Sequence, residues 1–106
     1  MRIYASTDND VFFKKLIGKD LWVFCNTDYA RFWVKPLEIS RGVLIYLKLP
    51  DYTNPGFVEL CPTRYSIRLE CIEVRRPVNM LTTYEILEPI CEAQGLDVEE
   101  EMEYWE

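Results

Sequence analysis

Four cysteines and no histidine set the chemical limits of this 106-residue chain. Cys25, Cys61, Cys71 and Cys91 are separated by 36, 10 and 20 positions. A four-cysteine zinc site normally draws on two closely spaced pairs, and the chain has no C-x-x-C knuckle. No metal and no other cofactor is therefore expected. Without histidine, a Cys–His pair cannot form, and the usual acid–base group near neutral pH is missing. Cys25 lies in the apolar run Leu21-Trp22-Val23-Phe24-Cys25. Burial there raises the thiol pKa and makes it a poor nucleophile. No P-loop, dinucleotide fingerprint or G-x-S-x-G turn occurs. Carboxylates are plentiful near the C-terminus, but a solvated cluster does little to raise one pKa for acid catalysis. Glu99-Glu100-Glu101-Glu103 also lacks the alternating ligands of a calcium loop. No residue is assigned a catalytic role, and the chain is expected not to be an enzyme.

Charge is the most informative feature. All twelve Lys and Arg residues fall within positions 1–76, and residues 79–106 carry nine acids and no base. Residues 1–78 thus hold twelve bases against nine acids, while the C-terminal stretch is purely acidic. The expected organisation is a globular domain over 1–95 and an acidic arm over 96–106. Such an arm recruits a basic partner or keeps one away. Val98, Met102 and Trp105 are spaced i, i+4, i+7, which is one helical face. With Tyr104 they make an apolar stripe among Glu99, Glu100, Glu101 and Glu103. An amphipathic acidic segment of this kind can dock into a basic groove, with aromatic anchors supplying affinity. The alternative is a solvated helix that keeps the protein soluble. On either view, deleting 96–106 is expected to cost less than about 1–2 kcal/mol.

A second constellation interleaves bases with aromatics. Arg31, Phe32, Trp33 and Lys35 lie on one segment, and Arg64, Arg68, Arg75 and Arg76 on or after another. Aromatic platforms beside Arg hold single-stranded nucleic acid on OB-like sheets. The plainer reading puts Trp33 and Phe32 in a core and the Arg side chains in water. The small positive excess of the body, and an acidic arm that would compete with phosphate, favour the plainer reading.

The elements that must position these residues are short. Met1–Ala5 can form a strand. Thr7-Asp8-Asn9-Asp10 supplies N-cap candidates for a helix over Val11–Ile17, with Phe12, Phe13, Leu16 and Ile17 on one face and Gly18 as its stop. Leu21–Cys25, apolar on both faces, predicts a central strand. Tyr29–Ile39 and Val43–Leu49 predict a hairpin with a three-residue loop, Ser40-Arg41-Gly42. Pro36 predicts an edge or a bulge. In the second arm, Val43, Ile45, Leu47 and Leu49 form the apolar face. Pro50–Gly56 is dense in turn formers, and Phe57–Leu60 can be a short strand. Arg64–Arg75 alternates, with Tyr65, Ile67, Leu69 and Cys71 inward. Its parity changes at Cys71-Ile72, which predicts a bulge. Pro77 is expected to end the sheet. Thr82-x-x-Glu85 is a capping box that starts a helix towards Gln94. Pro89 should kink or shorten that helix, or mark its start after a strand over 81–87. Asp97-x-x-Glu100 repeats the capping signal.

Five or six short strands with a helix at each end predict an α+β fold built on a bent antiparallel sheet. An SH3-like or OB-like barrel is its natural closure. A composition 49 % apolar and 14 % aromatic excludes disorder. No apolar run reaches the roughly 18 residues of a membrane span, so no membrane partner is expected. The N-terminal residues lack the apolar core of a signal peptide, so reduced thiols and a cytoplasmic location are expected. The favoured function is a non-catalytic protein-binding module, an inhibitor or adaptor acting on a basic, nucleic-acid-handling protein. Small acidic inhibitors of the type mobile elements encode have this charge pattern. The alternatives are a β-barrel binding single strands through Arg31, Trp33, Lys35, Arg64 and Arg68, or an assembly subunit that hides Trp33 or Trp105 in a homo-oligomer.

Overall fold

Trp22-Val23-Phe24-Cys25-Asn26 forms the strand at the centre of the molecule, β1. Its run of large apolar residues can be buried only if something packs on both sides. A computed structural model describes the backbone of residues 6–49, 63–103 and 105, and side chains within those ranges from Asp8 onward. Strands β2 (Arg31–Ser40), β3 (Val43–Lys48), β4 (Thr63–Arg68), β5 (Glu73–Val74) and β6 (Met80–Leu81) complete a six-stranded sheet. The order is β4-β3-β2-β1-β5, with β6 also on β1, and every described pairing is antiparallel. Helices α1 (Ser6–Lys14), α2 (Thr83–Gln94) and α3 (Val98–Glu103) flank it. This is the expected small α+β class. Among the described residues no pairing joins β4 to β5 or β6, so no barrel closure of the SH3-like or OB-like kind is seen there. The expected strand at Met1–Ala5, the turn-rich segment 50–56, the strand over 57–60 and Cys61 lie outside the described residues.

Several local expectations are corrected. Helix α1 begins at Ser6, so Asn9 is not a cap but an interior residue of the helix. It is buried, and its Nδ2 donates to the carbonyls of Leu69 and Ile72, both at 2.6 Å. The hairpin loop has two residues rather than three, because Ser40 pairs with Val43. Both Arg41 (φ 52°) and Gly42 (φ 75°) are left-handed, as a type I′ turn requires. Pro36 does mark a bulge, with a register shift between Pro36 and Glu38, but β2 is interior and Pro36 is fully buried. The face of β3 turned to the core carries Leu44 and Tyr46, while Val43, Ile45 and Leu47 stay half-buried. The change of parity near Cys71 is a 3₁₀ turn, Leu69–Cys71, not a bulge. It carries the chain from β4 at one edge to β5 beside β1, and so buries Leu69, Ile72 and Val74 together. Pro77 does not end the sheet, since β6 follows it.

Helix α2 opens as expected. Thr82 is the N-cap, its hydroxyl accepting from the Glu85 N–H at 3.2 Å. Gly95 closes the helix at φ 70°. Pro89 neither ends nor starts it. The helix runs through as one element of 12 residues, with Pro89 on its exposed side. Asp97 caps α3, its Oδ1 accepting from the Glu99 N–H at 2.9 Å.

Two apolar clusters result. The larger joins Phe13 and Leu16 to Val23, Cys25, Val34, Leu44, Tyr46, Leu69, Ile72 and Val74 on one side of the sheet. Full burial of each large member contributes roughly 1.5–3 kcal/mol. The smaller joins Leu87 and Cys91 of α2 to Leu96, Val98, Met102 and Trp105. Trp22 bridges the sheet to these helices. It is fully buried, its ring lies 5.5 Å from that of Trp105, and its indole donates to Thr83 Oγ1 at 2.9 Å.

Candidate functional site

Two surfaces gather the charged residues singled out above. The first is the outside of the α2–α3 layer. Glu85, Glu88 and Glu92 share the exposed side of α2, and Glu99, Glu100 and Glu103 that of α3. Helical spacing forces this division. The apolar residues Ile86, Leu87, Ile90 and Cys91 claim one face of α2, and Val98 and Met102 claim one face of α3, with Trp105 in the turn just after it. Glu101 is half-buried beside them. The Cys91 thiol is raised above its ordinary value, by burial first and then by the charges of Glu101 and Asp97. The stripe expected to anchor a partner is therefore engaged inside the chain. Met102 and Trp105 pack on α2 and Trp22, and the Trp105 N–H is buried with no acceptor among the described residues. Tyr104 lies outside the described residues.

The second surface is one face of the sheet. The register Phe24↔Trp33, Lys35↔Leu47, Leu47↔Arg64 and Val43↔Arg68 puts all of these residues on the same face. Arg31, paired with Asn26, joins them. Arg31, Trp33, Lys35, Arg64 and Arg68 thus share a face, the one opposite Val23, Cys25 and Val34. Two of the bases are engaged. Lys35 Nζ lies 3.1 Å from Asp20 Oδ1, and Arg68 Nε lies 3.2 Å from Glu70. Arg31 and Arg64 are exposed. Trp33 meets Phe24 edge-on at 5.3 Å, and the Arg75 guanidinium stands 5.8 Å over the Phe24 ring.

Sequence reasoning missed Phe24 as a member of this face, and the pairing of β1 with β5 that brings Arg75 over its ring is invisible in a linear pattern. It also missed Asp20. That carboxylate accepts from the Thr83 N–H, from Thr83 Oγ1 and from Lys35 Nζ, and so ties the start of α2 to the sheet. Burial pushes its pKa up, but the hydrogen bonds of Thr83 and Lys35 outweigh that and hold it below the ordinary 3.8. No local signal could have found a partner 63 positions away.

Cys25 and Cys91 are buried among apolar residues of the two clusters. Burial pushes the Cys25 thiol up to about 12. No group of three or more potential ligands could hold a metal ion among the described residues. No helix among them is long and apolar enough to cross a membrane. Comparison with protein-family models, with curated proteins and with solved structures gave no match to the chain.

Proposed function

We propose that this chain is a non-catalytic, cytoplasmic protein-binding module whose acidic helical layer docks on a basic, nucleic-acid-handling protein as an inhibitor or adaptor. One observation carries the reading. The α2–α3 layer turns six carboxylates outward, and no base occurs in the chain after Arg76. The internal packing of Met102 and Trp105 changes how such docking works. The layer presents carboxylates on a fixed frame rather than on a loose arm, so charge sets the encounter and the register of the partner. Capture of proteins from the native host by the whole chain, and by the triple variant Glu99→Gln, Glu100→Gln, Glu103→Gln, tests it. A basic protein retained by the first and lost by the second is expected. Equal retention of every captured protein by both overturns the proposal.

The shared face of Arg31, Trp33, Lys35, Arg64 and Arg68 favours a second reading, in which single-stranded nucleic acid lies across the sheet and the acidic layer screens it. Titration with a labelled single strand decides between the two. Under the second reading, Arg64→Ala with Arg68→Ala abolishes binding. Under the first, the whole chain shows no tight binding to lose.

A further inference from the structure

On the sheet face that carries the main core, three aromatic rings run in a row across β2, β3 and β4. Phe32 and Tyr46 are stacked at 6.1 Å and 14°, and Tyr46 and Tyr65 at 6.1 Å and 27°. Register explains the row, since Cys25↔Phe32, Val34↔Lys48 and Tyr46↔Tyr65 share this face. Beside the row opens a cleft of about 230 Å³, lined also by Lys48, Ile67, Asp28 and Tyr29. A sealed cavity of about 150 Å³ already admits benzene, whereas drug-sized ligands need 300 Å³ or more. The space suits one aromatic ring and a small substituent.

Lys48 fixes the sign of that substituent. Its Nζ stands 5.0 Å from the Phe32 ring centre and 5.6 Å from that of Tyr65. Among the described residues no carboxylate pairs with it. Aromatic faces of this kind attract a cation, and here the chain supplies its own. A second ammonium would be repelled, and an anion would complete the charge.

We propose that this cleft binds a small ligand composed of one aromatic ring bearing one carboxylate, the ring against Tyr46 and Tyr65 and the carboxylate on Lys48. The site lies on the opposite face of the sheet from the basic patch and from the acidic helical layer, so it stands or falls independently of the proposed docking. Two sources offer this chemistry, a free aryl acid and an aromatic residue at a peptide C-terminus. Equilibrium dialysis and saturation-transfer NMR with benzoate, N-acetyl-phenylalanine, benzamide and benzylamine test it. At least one of the two carboxylates should bind saturably with a Kd on the order of 1 mM. Whichever binds more tightly identifies the source. Benzamide and benzylamine should bind about tenfold more weakly or less. Lys48→Met and Tyr65→Ala, both on solvent-reached side chains, should each weaken carboxylate binding about tenfold with unchanged circular dichroism. Absence of saturable binding by both carboxylates overturns the proposal. So does benzamide binding as tightly as benzoate to the unaltered protein, or a folded Lys48→Met variant binding benzoate as the unaltered protein does.

Discussion

At the scale of single residues, Asp20 matters more to the fold than its exposed position suggests. Half its side chain is open to water, yet it receives the first N–H of α2, the Thr83 hydroxyl and the Lys35 ammonium. A carboxylate at a helix N-terminus also gains from the helix dipole. Asp20→Asn should lower stability by about 1 kcal/mol at pH 7, a figure that allows for solvent screening of the exposed half. The sign of the pH dependence follows from the lowered pKa. The folded state favours the charged form, so this contribution is fully present above the ordinary 3.8. It is lost as pH falls through the folded-state value. Thermal melting at pH 7 and pH 3 should therefore show a gap between the two proteins that narrows at the lower pH. A gap that widens on acidification would count against this account of Asp20.

At the scale of elements, α2 and α3 behave as one layer rather than as a helix and a loose arm. Trp105 lies against Trp22 and belongs to the cluster of Leu87 and Cys91. Trp105→Ala should thus destabilise the protein by about 2–3 kcal/mol, somewhat below the value for a fully buried Trp. Deleting 96–106 should cost at least as much, above the ceiling of about 1–2 kcal/mol that its acidic sequence alone suggests. Chemical denaturation of both variants measures this, and a deletion with an unchanged midpoint would return the arm to its solvated reading. Pro89 invites the opposite experiment. It sits on the exposed side of α2, in the interior of a helix that continues past it. It removes one N–H from the ladder and crowds the preceding turn. Pro89→Ala should stabilise the protein by about 1–3 kcal/mol, read as a higher melting temperature. A fall in melting temperature would mean that Pro89 supports packing not visible in α2 itself.

At the scale of the whole molecule, charge is sorted by layer. The bases fall within the first 76 positions, on the sheet and around α1, and the α2–α3 layer is acidic. Fields from exposed charges are screened within about 8–10 Å at physiological ionic strength. Docking through the acidic layer should then slow as salt rises, with most of the change in the association rate. Changing Glu99, Glu100 and Glu103 to Gln should slow association and flatten its salt dependence, while dissociation changes little. Surface plasmon resonance against the captured partner gives both rates. A variant that alters dissociation alone would place the energetic contact elsewhere.

Much of this molecule was written locally. The Thr82–Glu85 capping box, the Gly95 stop, the apolar β1, the Pro36 bulge and the α1 face of Phe13 and Leu16 each follow from a few neighbouring residues. Local propensity and period need no distant partner, so these elements are legible in the chain itself. The same holds for the split of charge along the chain. What escaped was everything fixed by pairing. Whether Leu44 or Ile45 faced the core depended on which side α1 and the 3₁₀ turn would cover, since both faces of β3 are largely apolar. The Asp20–Thr83 tie and the row of Phe32, Tyr46 and Tyr65 both follow from strand order. The fate of Trp105 turned on the same point. Its helical spacing marked an apolar stripe, but an apolar stripe fits an external groove as well as an internal one. Only the arrival of Trp22 and Leu87 beside it chose the internal partner, because burying that surface within the chain avoids the entropy lost in joining a second molecule.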